Sequence, residues 1–136
     1  MSEQLAQLKK KSMSEAVLWT NPNPTTDFSA QNVTLSKALS NFDYIGVKFR
    51  CTKSHSSYAT IFFKVDDFKT FLNSNTAYTF GAALSASVFD TQGYSYARRF
   101  YYIDNTHIAF ANCTIINYSP STLNSFNIPI EIIGLR

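Results

Sequence analysis

Groups able to move a proton or attack a bond are sparse in this 136-residue sequence: six Asp, three Glu, two His and two Cys. Asp66 and Asp67 are neighbours. On a strand they would point to opposite faces, and at a helix start their charge would answer the macrodipole. Asp43, Asp90 and Asp104 fall beside strand ends or turn residues, where Asp is at home because it bonds nearby backbone. Glycoside hydrolysis needs two carboxyls at a defined separation, and no spacing here points to such a pair. His55 and His107 are isolated beside Ser or Thr and read as solvated. Cys51 shares a face with apolar neighbours and reads as a buried, inert thiol. Cys113 lies far along the chain, and the spacing neither supports nor excludes a Cys51–Cys113 disulfide. No C-x-x-C, H-E-x-x-H, G-x-S-x-G or phosphate-cradling glycine loop occurs. The sequence therefore predicts no catalytic residue, no metal and no cofactor.

Binding chemistry is better represented. Gly93-Tyr94-Ser95-Tyr96, then Arg98-Arg99 and Tyr101-Tyr102, place four Tyr and two Arg within nine residues. Tyr couples a rigid apolar ring to a polar tip, which suits interfaces and sugar faces alike. Tyr94 and Tyr96, beside the turn residues, are the first candidate ligand-binding residues. Arg98 to Tyr102 read mainly as core or intersubunit packing. His55 and Tyr58, around the polar stretch Lys53–Ser57, form a second candidate pair.

Positioning these residues falls to short strands. Ile45, Val47, Phe49 and Cys51 alternate with Tyr44, Gly46, Lys48 and Arg50, the pattern of a half-buried strand. Period two recurs over Ala59–Val65, Thr76–Phe89, Tyr96–Ile103, Ile108–Phe110, Cys113–Tyr118 and Asn127–Ile133, and weakly over Phe28–Leu35. Asn, Asp, Ser and Gly punctuate the runs. Gly81 marks an expected bulge, and Asp66–Leu72 an expected helical turn, with Phe68, Phe71 and Leu72 at helical spacing. Pro129 predicts that the last strand is an edge, or that Pro129 faces away from the ladder. The expected fold is all-β: an antiparallel β-sandwich, jelly-roll-like, with a short N-terminal helical stub. Residues 1–15 are the stub and residues 16–136 the sandwich domain.

Composition narrows the partners. Charged residues are only 15% of the chain, while Ser, Thr and Asn supply 40 of 136 positions, so hydroxyls and amides hydrate the surface. The net charge of +3 is partly carried by Lys9, Lys10 and Lys11, and only Arg98-Arg99 pairs locally beyond them. Nucleic-acid binding, which needs a basic stripe, is not expected. No apolar run approaches the ~18 residues of a membrane helix, so no membrane insertion is expected. The polar start predicts no cleavable secretory leader. Leu5 and Leu8 begin a helical seam that stops at Ser12 and Glu15, leaving a frayed helix or the last turns of a stalk as readings of the stub.

Four segments carry a family likeness: Val17–Ser36 (VLWTNPNPTTDFSAQNVTLS), Asp43–Arg50 (DYIGVKFR), Ala97–Phe110 (ARRFYYIDNTHIAF) and Asn127–Arg136 (NIPIEIIGLR). Together they span about 120 residues. The chain resembles the C-terminal β-sandwich head domain of phage and prophage tail-fibre, receptor-binding or baseplate proteins of Gram-positive bacteria. Such domains often finish with an Ile-Pro-aliphatic strand and a basic residue after Gly, as Asn127–Arg136 does. The resemblance implies a homotrimer in the virion whose head adheres to a surface polysaccharide or teichoic acid without catalysis. The stub is too poor in apolar seam residues to trimerise alone, so paired sheet faces would have to do so, with outward Tyr and Phe of Thr60–Lys64 and Tyr96–Tyr102 as candidates. A free-standing carbohydrate-binding module or small lectin is the rival reading, and a surface-polysaccharide depolymerase a distant third.

Overall fold

A computed structural model describes residues 14–72, 93–119 and 121–136, and the backbone of 82–89. Eight strands run in chain order through these residues: β1 (Glu15–Thr20), β2 (Gln31–Thr34), β3 (Tyr44–Thr52), β4 (Tyr58–Lys64), β5 (Ala82–Phe89), β6 (Ser95–Asp104), β7 (His107–Ile115) and β8 (Phe126–Leu135). They form two four-stranded antiparallel sheets, ordered β1-β8-β3-β4 and β2-β7-β6-β5. The expected all-β sandwich is the observed fold. First strand pairs with last and second with second-last, the nested wrapping of a jelly roll. Full nesting would then join β3 to β6 and β4 to β5. Instead β3–β4 and β5–β6 close as neighbours.

The core follows from the period-two faces. Ile45, Val47 and Phe49 of β3, Ile128 and Ile132 of β8, and Leu18 of β1 are buried against Val33, Phe100, Ile108 and Phe110 from the other sheet. Phe49, Phe100 and Phe110 meet with ring centroids 5.7–6.3 Å apart, within the range where aromatic pairs attract. The helical turn expected at Asp66–Leu72 is present as α1 (Val65–Phe68), with Asp66 and Asp67 in its first turn. Its Phe68 is fully buried between Phe63 and Phe100.

Three expectations need correction. Ile108–Phe110 and the first part of Cys113–Tyr118 are one strand, β7, which ends at Ile115. Pairing with β6 carries on through a bulge, Arg98 facing Cys113 and Phe100 facing Phe110, so the inward face slips by one residue at Ala111 and Asn112. β8 lies between β1 and β3, so Pro129 is in a central strand. It is tolerated because β1 pairs no further than Glu131 and because β3 is irregular there, Lys48 facing Glu131 and Phe49 facing Pro129. Glu15 already belongs to β1, and Ser14 exchanges backbone bonds with Arg136, so the sandwich starts at least two residues before 16. The stub's remaining residues 1–13, the first part of the expected strand Thr76–Phe89, and Gly81 lie outside the described residues.

Pairing registers assign the loops to two ends. β1 starts opposite Leu135 and β3 starts opposite the same residue, so the chain leads into the sandwich at a basal end. That end also carries Leu39–Asn41, α1 and the Asp104–His107 turn. The opposite, apical end gathers the loops 21–30, 53–57 and 116–125 and residues 93–94.

Candidate functional site

Three of the four residues singled out from the sequence, His55, Tyr58 and Tyr94, reach the apical end. The fourth is interior. Tyr96 is 2% exposed, and its ring lies flat on Phe126 at 3.9 Å with 6° between planes. β6 begins at Ser95, so Tyr96 takes the inward face with Arg98 and Phe100. Its place is in a small apical core with Cys113 and Ile115.

Tyr94 precedes β6, where Gly93 supplies a φ of +77° that a side chain would resist. Asn117 clasps this segment from the facing loop: its Oδ1 accepts from the Ser95 N–H at 2.8 Å and its Nδ2 donates to the Gly93 carbonyl at 3.1 Å. The Ile116 N–H donates to the Ser95 carbonyl at 3.0 Å. The clasp brings Tyr118 onto Tyr94, with rings stacked at 5.0 Å and 26°. Tyr94 is half-buried, whereas Tyr118 is 63% exposed and the most accessible large apolar side chain described. Period-two counting hides Tyr118 by extending its strand too far. The Ser119-Pro120 turn signal directly after it was the clue that it sits in a loop.

The β3–β4 loop is built on Thr52. Its Oγ1 accepts from the Ser54 and His55 N–H groups at 3.1 and 2.9 Å, and lies 3.1 Å from His55 Nδ1. Lys53 ties the loop to its neighbours, donating its N–H to the Ser125 carbonyl and pairing with Asp27 at 3.1 Å. His55 is exposed; Tyr58 is half-exposed, with Lys48 Nζ 4.8 Å from its ring centroid. A second amide relay fixes the rest of the apex. Asn124 Oδ1 accepts from the Cys113 N–H, its Nδ2 donates to Asn112 Oδ1, and that oxygen also accepts from the Ala30 N–H.

Beneath the apex the charged chemistry is structural. Arg98 is fully buried and donates to the carbonyls of Asn127, Ala111 and Phe126 at 2.7, 2.8 and 3.1 Å. Burial pushes its guanidinium down to about 10, and the nearby Cys113 thiol opposes that shift. Burial likewise pushes the Cys113 thiol up to about 11. Both cysteines are free, Cys113 buried and Cys51 only half-buried, its thiol donating to the His55 carbonyl at 3.0 Å. His107 belongs to the basal end, 2.8 Å from Asp104. Among the described residues no helix is long and apolar enough to cross a membrane. The apex can therefore offer a ligand aromatic faces and neutral donors on loops cross-tied by amides. No protein-family model matches the chain, and no curated protein sequence is similar to it.

Proposed function

We propose that this domain is a non-catalytic adhesion head of a phage or phage-like tail fibre, carried on the virion and contacting a bacterial surface glycan through its apical end. The observation that carries the reading is the Tyr94–Tyr118 stack, its Tyr118 ring exposed, held at the end remote from where the chain leads into β1. A sugar ring has an apolar carbon–hydrogen face that packs on such rings, while its hydroxyls need neutral donors and acceptors. The family resemblance of the four sequence segments supports the same reading.

Homotrimerisation belongs to this proposal. Register lines up Val17, Ile133, Gly46 and Phe62 in one row across the outer face of the β1-β8-β3-β4 sheet. Val17 and Phe62 are 51% and 50% exposed. Of the aromatics considered from the sequence, Phe62 fits such an interface. Tyr96 and Phe100 are buried, and Tyr102 is half-buried with its ring edge-on to Phe68. Three weak sites on one particle would raise avidity without new contacts.

Pull-down on purified Gram-positive cell walls tests the reading. Tyr118→Ala should lower retention about tenfold, the effect of losing roughly 1.4 kcal/mol of contact, with the fold intact by circular dichroism. Undiminished retention would remove the apical stack from the function. Retention by a strictly monomeric protein would favour a free-standing lectin.

A further inference from the structure

The apical stack leaves unexplained a groove on the open side of the sandwich, between the edge strands β1 and β2. It encloses about 430 Å³, within the usual 300–1,000 Å³ of small-ligand sites. Its ends are closed by the chain itself. On the basal side Ser36 donates its N–H to the Leu18 carbonyl at 2.8 Å and its hydroxyl to the Val17 carbonyl at 3.2 Å. On the apical side the buried Asn21 holds the next turn, donating to the Pro129 carbonyl and accepting from the Asn23 N–H.

The wall combines one large aromatic with neutral polar groups. Trp19 is half-buried, its indole packed on Phe28 and Phe110 at 6.1 and 5.9 Å while it also lines the groove. Asn23, Asn32 and Thr34 line it too and are exposed, and among the described residues their side chains have no hydrogen-bond partner. No Lys, Arg or His is in the lining, and its carboxylate, Asp27, is already paired with Lys53. A phosphate-bearing polymer would find no cation in the lining, and Lys53 beside it is engaged by Asp27. We infer that this groove is a saccharide-binding site selective for uncharged sugars, with Trp19 as the stacking surface and Asn23, Asn32 and Thr34 as hydroxyl partners. The inference rests on the glycan-adhesion reading and narrows it to a neutral surface polysaccharide rather than a teichoic acid.

Trp19 is the single tryptophan of the chain, so its fluorescence reports this groove and not the apical tyrosines. The probes are neutral tetrasaccharides of glucose, galactose, rhamnose and N-acetylglucosamine, with oligomeric glycerol phosphate as the anionic arm. They are titrated to about 10 mM because single sugar sites lie near the millimolar end of the affinity scale. Expected is a saturable change of Trp19 emission with at least one neutral sugar, weakened tenfold or more in Asn23→Ala/Asn32→Ala. Both side chains are exposed, so circular dichroism and thermal midpoint should not move, and Tyr118→Ala should keep the signal. A response to glycerol phosphate alone would overturn the uncharged class. Calorimetric sugar binding with unmoved Trp19 emission would overturn the groove while sparing the apical site, as would wall retention with no sugar moving the emission. Sugar binding in the groove with no retention on cell walls would keep the groove and defeat the adhesion reading.

Discussion

Arg98 occupies a position where an inward strand residue should be apolar, and its three carbonyl partners explain why it is stable there. Bonds to β7 and to the start of β8 tie three segments together, and Phe28 lies 5.3 Å from the guanidinium carbon. Among the described residues no carboxylate pairs with it. Arg98→Met keeps much of the volume but strands three acceptors, and should lower unfolding stability by about 3–5 kcal/mol in urea titrations. A loss under ~1 kcal/mol would mean water replaces the guanidinium. Cys113 gives a pH signature. Burial pushes its thiol up from the ordinary 9.0 to about 11, so the folded state holds its proton longer than the unfolded chain. That contribution is complete below pH 9 and is lost as pH rises towards 11, by about 1.4 kcal/mol at pH 10. The stability difference between pH 8 and pH 10 should therefore be smaller by that amount in Cys113→Ala.

Two glycines within strands separate tight packing from movable packing. A Cβ on Gly134 of β8 would sit 2.6–2.8 Å from the buried ring of Phe42. One on Gly46 of β3 would meet the outer ring atoms of Phe62 at 2.6 and 2.9 Å and Ile133 at 3.0 Å. Phe42 is packed into the core cluster, whereas Phe62 lies on an open face and can swing away. Gly134→Ala should cost about 2–3 kcal/mol and Gly46→Ala under ~1 kcal/mol by chemical denaturation. Equal costs would show that Phe62 is pinned, as it would be in a tight oligomer. Element identity was largely legible because period two and turn chemistry agree along β3, β4 and β6. The continuity of β7 was less so, since its inward face steps three residues from Phe110 to Cys113 across a bulge, which reads in sequence as two strands.

For the whole molecule, oligomeric state is the decisive property. The row from Val17 to Phe62 is apolar, with Lys48 and Glu131 on one side and Glu15 and Lys64 on the other. Light scattering on a sizing column should give three chain masses for the wild type and one for Val17→Ser/Phe62→Ser. Wall retention should fall on the order of 100-fold with the loss of avidity. An unchanged assembly would place the interface elsewhere.

The sequence by itself determined the fold class, the helical turn at α1 and the polar, charge-poor surface, because alternation and turn chemistry are local properties of the chain. It could not tell half-buried Tyr94 from interior Tyr96. Two residues apart, they would share one face of a strand, and only the start of β6 at Ser95 leaves Tyr94 in the loop and puts Tyr96 under the second sheet. Arg98 was legible as a cation but not as a buried one, because its partners are backbone carbonyls whose position carries no residue signature. Tyr118 reaches Tyr94 across the β6–β7 pair, and Trp19 comes to line one groove with Asn32 from the other sheet. Only the tertiary structure brought them together.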